Sequence, residues 1–487
     1  MEPRSGYGKL NKSTVKPCLI AVLTGMLSAC LVGPDYHRPA VPVAAGYKEL
    51  AGWTAATPAD AAPKGEWWTD FHDPLIDQLE PMVAVSNQTV RQNFANYQQA
   101  LAEVKVARSE LFPTIGLTGS ATRSGAGSAA ASGTTGNAVN SGVLEGTASW
   151  TLDVWGQVRR LMQQNAATAQ ADEATLANAT LSEQALLATT VIELRLSDAD
   201  IDLGRQTVDA FRVTLAIVEK QAAAGVTSAP PSAVITARVA LETAQANLIS
   251  FGIARAQFAH AIAVLVGKNP EELDIADSTD MPTLPAVPAG VPSTLLQRRP
   301  DIAAAERNMA SQNAAVGVAV AAYYPTLSLS GTAGFTQTPL AGLLHAANHV
   351  WSIGANGTET VFDFGKRHAQ VEAAKAAYEA AVASYRGTVL AAFEAVENDL
   401  SGLRILAEQA VALEIAVRDA TRGTQIALAE FQAGTVDYTT VAAAQQIQLA
   451  DQQSALSVQE SRLVDAVSLI ADLGGGWSDD KLHDPLK

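Results

Sequence analysis

Two periodicities alternate along this chain, and each occurs twice. Over residues 75–110 and 300–322 the apolar positions follow helical spacing. The second stretch opens with Pro300 and Asp301, which suit a first helical position and the positive end of a helix dipole. Each predicted helix stops at a proline, Pro113 or Pro325, which favours extended chain just before it. Period-two alternation follows, with Ile115 and Leu117 in one copy and Leu327, Leu329, Ala333 and Phe335 in the other. A Gly/Ser/Ala-rich loop is expected over 124–142, and return strands over about 143–153 and 350–362. Strands of about ten residues are long enough to cross a bilayer when tilted.

Helical spacing then resumes on a larger scale. Residues 159–224 and 366–433 contain no proline and are rich in Ala, Leu, Glu, Gln and Arg, so two very long helices are expected, each reaching on the order of 100 Å. In the second, Val371, Ala374, Tyr378, Val382, Tyr385, Val389 and Phe393 form one stripe with coiled-coil-like spacing. Gly225 and Gly434 end these helices, and return helices are expected over about 232–266 and 438–473.

The two passes are copies of one unit. "LFPTIGLTGSA" (111–121) recurs as "YYPTLSLSGTA" (323–333), and "WTLDVWGQVRR" (150–160) as "ETVFDFGKRH" (359–368). Pro113 and Pro325 are offset by 212 residues, and both Gly156–Gly365 and Gly225–Gly434 by 209. The expected organisation is a first repeat over 67–280, a second over 281–473 and a tail over 474–487.

If these strands lie in a membrane, the expected fold class is an α+β membrane channel, with a long α-helical coiled-coil barrel and a transmembrane β-barrel shared between subunits. Four strands per chain cannot close a barrel, and an open sheet in lipid leaves backbone groups unpaired. Two copies would give eight strands and three would give twelve; the arithmetic requires an oligomer without choosing the number.

Composition adds an address. Arg4, Lys9, Lys12 and Lys16 precede a short apolar run at 18–27, then Leu27-Ser28-Ala29-Cys30. This reads as a signal peptide over 1–29 ending at a bacterial lipobox, with Cys30 as the lipid attachment site opening an extended segment over 30–66. Cys18 lies in the removed part, so no disulfide can form in the mature chain. The full chain carries 33 Lys+Arg against 49 Asp+Glu; processing leaves 29 against 48, a net charge of −19. Such a surface repels nucleic acid.

Several motifs suggest chemistry and are read otherwise. "DFG" at 363–365 has no accompanying nucleotide loop and reads as a strand-to-helix junction. Arg298-Arg299-Pro300-Asp301 reads as a helix start with local ion pairing. His345 and His349 lack further ligands and read as loop residues, and "GGGW" at 474–477 is no phosphate loop. No catalytic set, metal site or cofactor site is expected.

The chain resembles the outer-membrane efflux lipoproteins of the TolC type, in the OprM/NodT branch. The residues that carry this are "CLVGPDYHRP" (30–39), "WWTDFHDPLIDQL" (67–79), "LFPTI" (111–115), "LDVWGQVRR" (152–160), "RRPDIAAAE" (298–306), "FDFGKR" (362–367) and "DLGGGW" (472–477). The resemblance implies a homotrimer with a twelve-stranded barrel in the outer membrane of a Gram-negative bacterium, held also by the acylated cysteine, and a helical barrel in the periplasm. It implies a periplasmic adaptor and an inner-membrane pump, usually proton-driven, as partners, and a passive exit duct that catalyses nothing. It places adaptor contact at the helix tips, Gly225, Val226, Thr227, Gly434, Thr435 and Val436. The family's acidic ring near this end falls on Ala427 here, which leaves Asp419, Glu430 and Asp437 as aperture candidates. Two rivals stay open: an exit channel for a secreted macromolecule, and a lipid-anchored periplasmic coiled-coil scaffold outside the bilayer.

Overall fold

A computed structural model describes residues 31–40, 46–49, 66–125, 138–286 and 298–487. The signal peptide and Cys30 lie outside the described residues, as does most of the first hairpin loop.

The elements repeat with equal lengths. In the first copy a 22-residue helix α2 (Gln88–Ser109) leads into strands β1 (Thr114–Ser124) and β2 (Val139–Leu152). A 67-residue helix α3 (Gln157–Ala223) and a 35-residue helix α4 (Pro231–Leu265) follow. In the second copy, α5 (Pro300–Ala321), β3 (Thr326–Gln337), β4 (His349–Thr358), α6 (Lys366–Gln432) and α7 (Tyr438–Asp472) have helices of 22, 67 and 35 residues. A short helix α1 (Pro74–Ser86) precedes α2.

Three boundaries differ from the sequence reading. The helix expected over 75–110 is two helices, because Asn87 leaves helical geometry (φ −61, ψ 133) and its side chain accepts bonds from Thr89 N at 2.8 Å and Val90 N at 3.2 Å. An amide at this point competes for the backbone donors and starts a new helix. β2 begins at Val139, inside the expected loop, because it pairs with β1 out to Ser124. β4 ends at Thr358, short of 362.

The core lies where α1, α3, α4, α6 and α7 meet. Phe71, Ile76, Leu79, Leu187, Ile192, Leu194, Val396, Leu400 and Leu469 are fully buried there. Alanines line the closer crossings, with Ala169 and Ala174 of α3 fully buried beside α2 and α5. The expected stripe on α6 is inward: Val371, Val382, Tyr385 and Val389 are buried.

Sequence patterning did not expose the polar framework inside this core. Asp73 caps α1, accepting from Leu75 N at 2.7 Å, and its other oxygen receives Arg195 Nε at 3.0 Å. Asp198, one turn on, receives Arg255 Nε of α4 at 2.6 Å and the Ser278 amide at 3.1 Å. Three elements and the chain leaving α4 are thus pinned by charges that each have partners, the condition under which burial is tolerated. Glu80 is the exception. It is fully buried, neither carboxylate oxygen has a partner, and burial pushes its carboxyl up to about 9.

Because the folded carboxyl is raised above its unfolded value of 4.5, folding takes up a proton. The stability that the neutral form allows is complete below pH 4.5 and drains away as pH climbs toward 9. Glu80→Met should therefore raise thermal stability by about 3 kcal/mol at pH 7 and by much less at pH 4.5. Melting curves in detergent at the two pH values check this; equal gains at both would assign the effect to packing alone.

Candidate functional site

Three features stand out: a two-faced sheet, a strap at its base, and two glycine tips at the far end of the long helices.

The sheet has the order β1-β2-β3-β4 and every pairing is antiparallel. Registers place Ile115 opposite Ala148, Leu117 opposite Gly146, Leu144 opposite Phe335, Trp150 opposite Leu329, Ala333 opposite Trp351 and Gly331 opposite Ile353. One face is therefore apolar, and its residues stand in the open: Ile115 and Ile353 are each 83 % exposed and Trp351 is 69 % exposed. The intervening positions form the other face. Thr114, Ser149 and Ser330 form one row of it, Thr147, Thr332 and Ser352 another, and Thr151, Ser328 and Asn356 a third. Glu145 is the only ionisable residue of this face among the described strands. A sheet with bare hydrocarbon on one side and hydroxyls on the other suits a boundary between lipid and water. Among the described residues, both edges, β1 and β4, lack a strand partner.

Aromatic rings gather where strands meet helices. Trp155 stacks on Tyr324 with centroids 4.9 Å apart, and its indole donates to Pro325 O at 2.8 Å. Trp150 donates to Leu111 O at 2.9 Å, and Phe362 and Phe364 lie nearby in sequence on the other junction. Amphipathic rings favour a membrane–water interface. The "DFG" motif is a junction here: Asp363 accepts from Gly365 N and from Arg367 Nε at 2.7 Å.

The strap, residues 31–40 and 46–49, starts at this junction and runs along the helices. Val32 N donates to Trp155 O at 3.2 Å. The buried Arg160 guanidinium donates to Val32 O at 2.9 Å, Gly33 O at 3.1 Å and Asp35 at 3.0 Å. Gly33 (φ +91) crosses Gly317 so closely that a Cβ would lie 2.5 Å from its Cα. Farther along, Tyr36 donates to Glu306, Arg38 to Tyr385 at 3.2 Å, and the Lys48 and Glu49 amides to Glu397. Arg160 stands within the "LDVWGQVRR" motif, but its role as the strap's clamp has no signal in the sequence.

At the other end Gly225 (φ +71) and Gly434 (φ +75) turn the chain, and a Cβ on either would meet nothing within 4 Å. These glycines answer to backbone geometry, not crowding. Thr227 and Thr435 are exposed, while Val226 and Val436 are half-buried. The tips are held side by side by one small core, in which Val218, Phe431, Tyr438 and Val441 are buried, and by Gln221 donating to Phe431 O at 3.0 Å. Ala427 is buried in that core. Glu430 is exposed, with its carbonyl accepting from Thr435 N and Oγ1. Asp437 is exposed at the start of α7, and Asp419 is exposed beside Arg418 at 3.2 Å. The structure thus brings the six tip residues together with Glu430 and Asp437, and leaves Asp419 several turns away on α6.

His345 and His349 do not share a helix: His345 precedes a short 3-10 turn and His349 opens β4, edge-on to Phe335. No group of three metal-ligating side chains occurs among the described residues. Arg299 forks onto Asp301 at 2.7 and 3.0 Å, the local pairing expected at that helix start.

Comparison with known proteins agrees with this geometry. The family model described as outer membrane efflux protein matches residues 81–268 and 291–475. The probable efflux pump outer membrane protein TtgC of Pseudomonas putida is 28 % identical over 461 residues, covering 94 % of this chain and 95 % of that protein. The solved outer-membrane channel OprN is 30 % identical with a TM-score of 0.85, covering 92 % of this chain and all of that one. The CmeC outer membrane channel of Campylobacter jejuni shares the fold, with a TM-score of 0.86 at 22 % identity over 93 % of this chain and 96 % of that one.

Phe431 is fully buried beneath both tips. Phe431→Ala should cost about 3–5 kcal/mol locally and loosen both tips together. Hydrogen exchange would show it as faster exchange over 218–230 and 427–441 with the strands unchanged; loosening of one tip alone would contradict a shared core.

Proposed function

This chain belongs to the outer membrane efflux protein family, and on that premise we propose how it assembles and meets its partners. It is the outer-membrane exit duct of a tripartite efflux system, through which small molecules expelled by an inner-membrane pump pass by way of a periplasmic adaptor. The duct is a homotrimer. Three copies supply twelve strands, each β1 edge is paired with the β4 edge of a neighbour, and no backbone group is left bare in lipid. The observation that carries this reading is a sheet with one apolar face, one hydroxyl-lined face and two open edges.

The helical part supports it. α4 is long and apolar enough by composition to cross a membrane, yet little of its apolar stretch is buried in one chain. Ile235, Val239, Ile249 and Ile253 stand exposed along it. Neighbouring copies cover this flank in the periplasm, so the membrane is crossed by strands. Cys30 is acylated, and the strap then begins beside Trp155, at the level where the aromatic rings mark the inner surface of the membrane.

The two glycine tips are the adaptor-facing end. Thr227 and Thr435 offer exposed contacts, Val226 is half-buried, and Val436 packs on the core shared by the two tips. The pump behind the adaptor is proton-driven. Glu430 and Asp437 give the narrow end a negative charge that favours cations, with Asp419 several turns farther along α6.

In a strain lacking other exit ducts, this chain with its adaptor and pump should lower accumulation of a pump substrate. Thr227→Trp with Thr435→Trp should abolish that protection and crosslinking to the adaptor, while native mass still reports three copies. Full protection by the double variant would move the docking surface elsewhere, and a monomer by native mass for the unaltered chain would sink the duct as built here.

A further inference from the structure

The loop that joins β3 to β4 is folded back onto the sheet. Residues 338–348 read "TPLAGLLHAAN", with leucine at 340, 343 and 344 and no charged side chain. Surface loops are commonly polar, and a contiguous apolar surface marks a place that something covers. β3 leaves α5 and β4 leads to α6 at the opposite end of the strands. With the helices in the periplasm, this loop lies at the outer side of the membrane.

The loop is a formed element. Gly342 (φ +85) turns the chain, and its carbonyl accepts from His345 N at 3.0 Å and from Asn348 Nδ2 at 2.8 Å. Asn348 N donates to His345 O at 2.9 Å. Leu340 N donates to Asn140 O at 3.0 Å, which ties the loop to the outer end of β2.

Gly142 decides which side of the sheet the loop covers. It stands opposite Ala121 and Gln337 and two residues before Leu144, so it belongs to the apolar face and not to the face of Glu145. It is the one buried residue of β2. A side chain there would collide with Leu340 Cδ1 and come within 3.2 Å of Leu343 Cδ2. The glycine leaves a seat in the strand, and two leucines of the loop fill it. A loop that closed the lumen would have to lie on the hydroxyl face instead.

The covered patch continues the lipid-facing surface without a break. On the same face His349 stands opposite Phe335 with ring centroids 5.7 Å apart, and Trp351 follows on that row. Leu344 carries the hydrocarbon outward: it is 65 % exposed, while Leu343 is half-buried. Arg123 faces Asn140 at the outer rim of this face and is exposed, where its cation can reach headgroup phosphates above the apolar zone.

We propose that residues 339–345 form a membrane seat, in which Leu340 and Leu344 enter the acyl chains of the outer leaflet and hold the loop out of the lumen. The inference rests on the lipid-facing sheet argued above and adds an anchor at its outer rim. Lipid is the occupant because the patch is continuous with that face, because aromatic rings flank it, and because the loop has no charge to offer a protein partner.

The test is nitroxide accessibility in the full chain, reconstituted in vesicles of phosphatidylethanolamine and phosphatidylglycerol. Labels go on Leu344→Cys, on Ile353→Cys as the lipid reference and on Ser352→Cys as the lumen reference; the unaltered chain, labelled in parallel, gives the share of the native cysteines. Oxygen partitions into lipid and a nickel chelate stays in water. The label at Leu344 should favour oxygen, on the side of Ile353 and opposite to Ser352. Adding Gly142→Val should unseat the loop and shift that label toward nickel, with native mass still reporting three copies. A Leu344 label reached by nickel as freely as Ser352 overturns the seat, and so does one shielded from both reagents, which would mean protein covers it. An unchanged ratio after Gly142→Val removes the role given to the glycine. Ile353 itself favouring nickel would sink the lipid-facing sheet and the barrel with it, whereas Ile353 in lipid and Leu344 in water loses the loop's seat alone.

Discussion

A hydrogen-bonding backbone cannot be left unpaired in hydrocarbon, and the rest of this molecule follows from that restriction. Each bare amide or carbonyl in lipid costs several kcal/mol. β1 and β4 present whole rows of them. The chain supplies too few strands to remove its own edges, so its sheet has meaning only as a sector of something larger. The alternation that puts Leu117 and Ile353 on one side and Thr147 and Ser352 on the other then decides what lies outside that ring and what lies within.

Away from the membrane the problem changes. The long helices satisfy their own backbones, so side chains must hold them together. A core of leucine, isoleucine and valine at the middle of the bundle does most of this, with alanine where helices come closest. Charges are admitted only when coordinated: Asp73, Arg195, Asp198 and Arg255 tie α1, α3 and α4 into one block. Arg160 fastens the strap to the base of the same long helix. Glu80, buried with no partner and therefore neutral, marks where this rule is met by giving up the charge instead.

Much of this was legible in the sequence. Long proline-free runs bounded by Gly156, Gly225, Gly365 and Gly434 gave the long helices to within two residues, because those glycines take the left-handed turns that begin or end each one. The repeat announced itself through Pro113 and Pro325. The interruption at Asn87 was missed because the apolar pattern continues through it and only the amide's side-chain bonding reveals a new start. The clamp at Arg160 and the framework at Arg195 were missed for another reason: nothing in the neighbouring residues tells that Gly33 or Asp73, more than a hundred positions away, will arrive there. Ala427, standing where an acidic ring residue would be expected, is explained by its burial under both tips, where a carboxylate would have no solvent.

Equal element lengths carry a consequence for how such a chain can change over generations. α3 and α6 have 67 residues each, and α4 and α7 have 35 each. Their turns end level because the counts match. An insertion in one repeat alone would rotate that hairpin by about 100° per added residue and raise one turn above its twin, spoiling the shared packing around Phe431 and Tyr438. Duct length is therefore free to drift only by paired events, the same number of residues gained or lost at matching places in both halves. The gene is in effect locked to itself across two hundred codons.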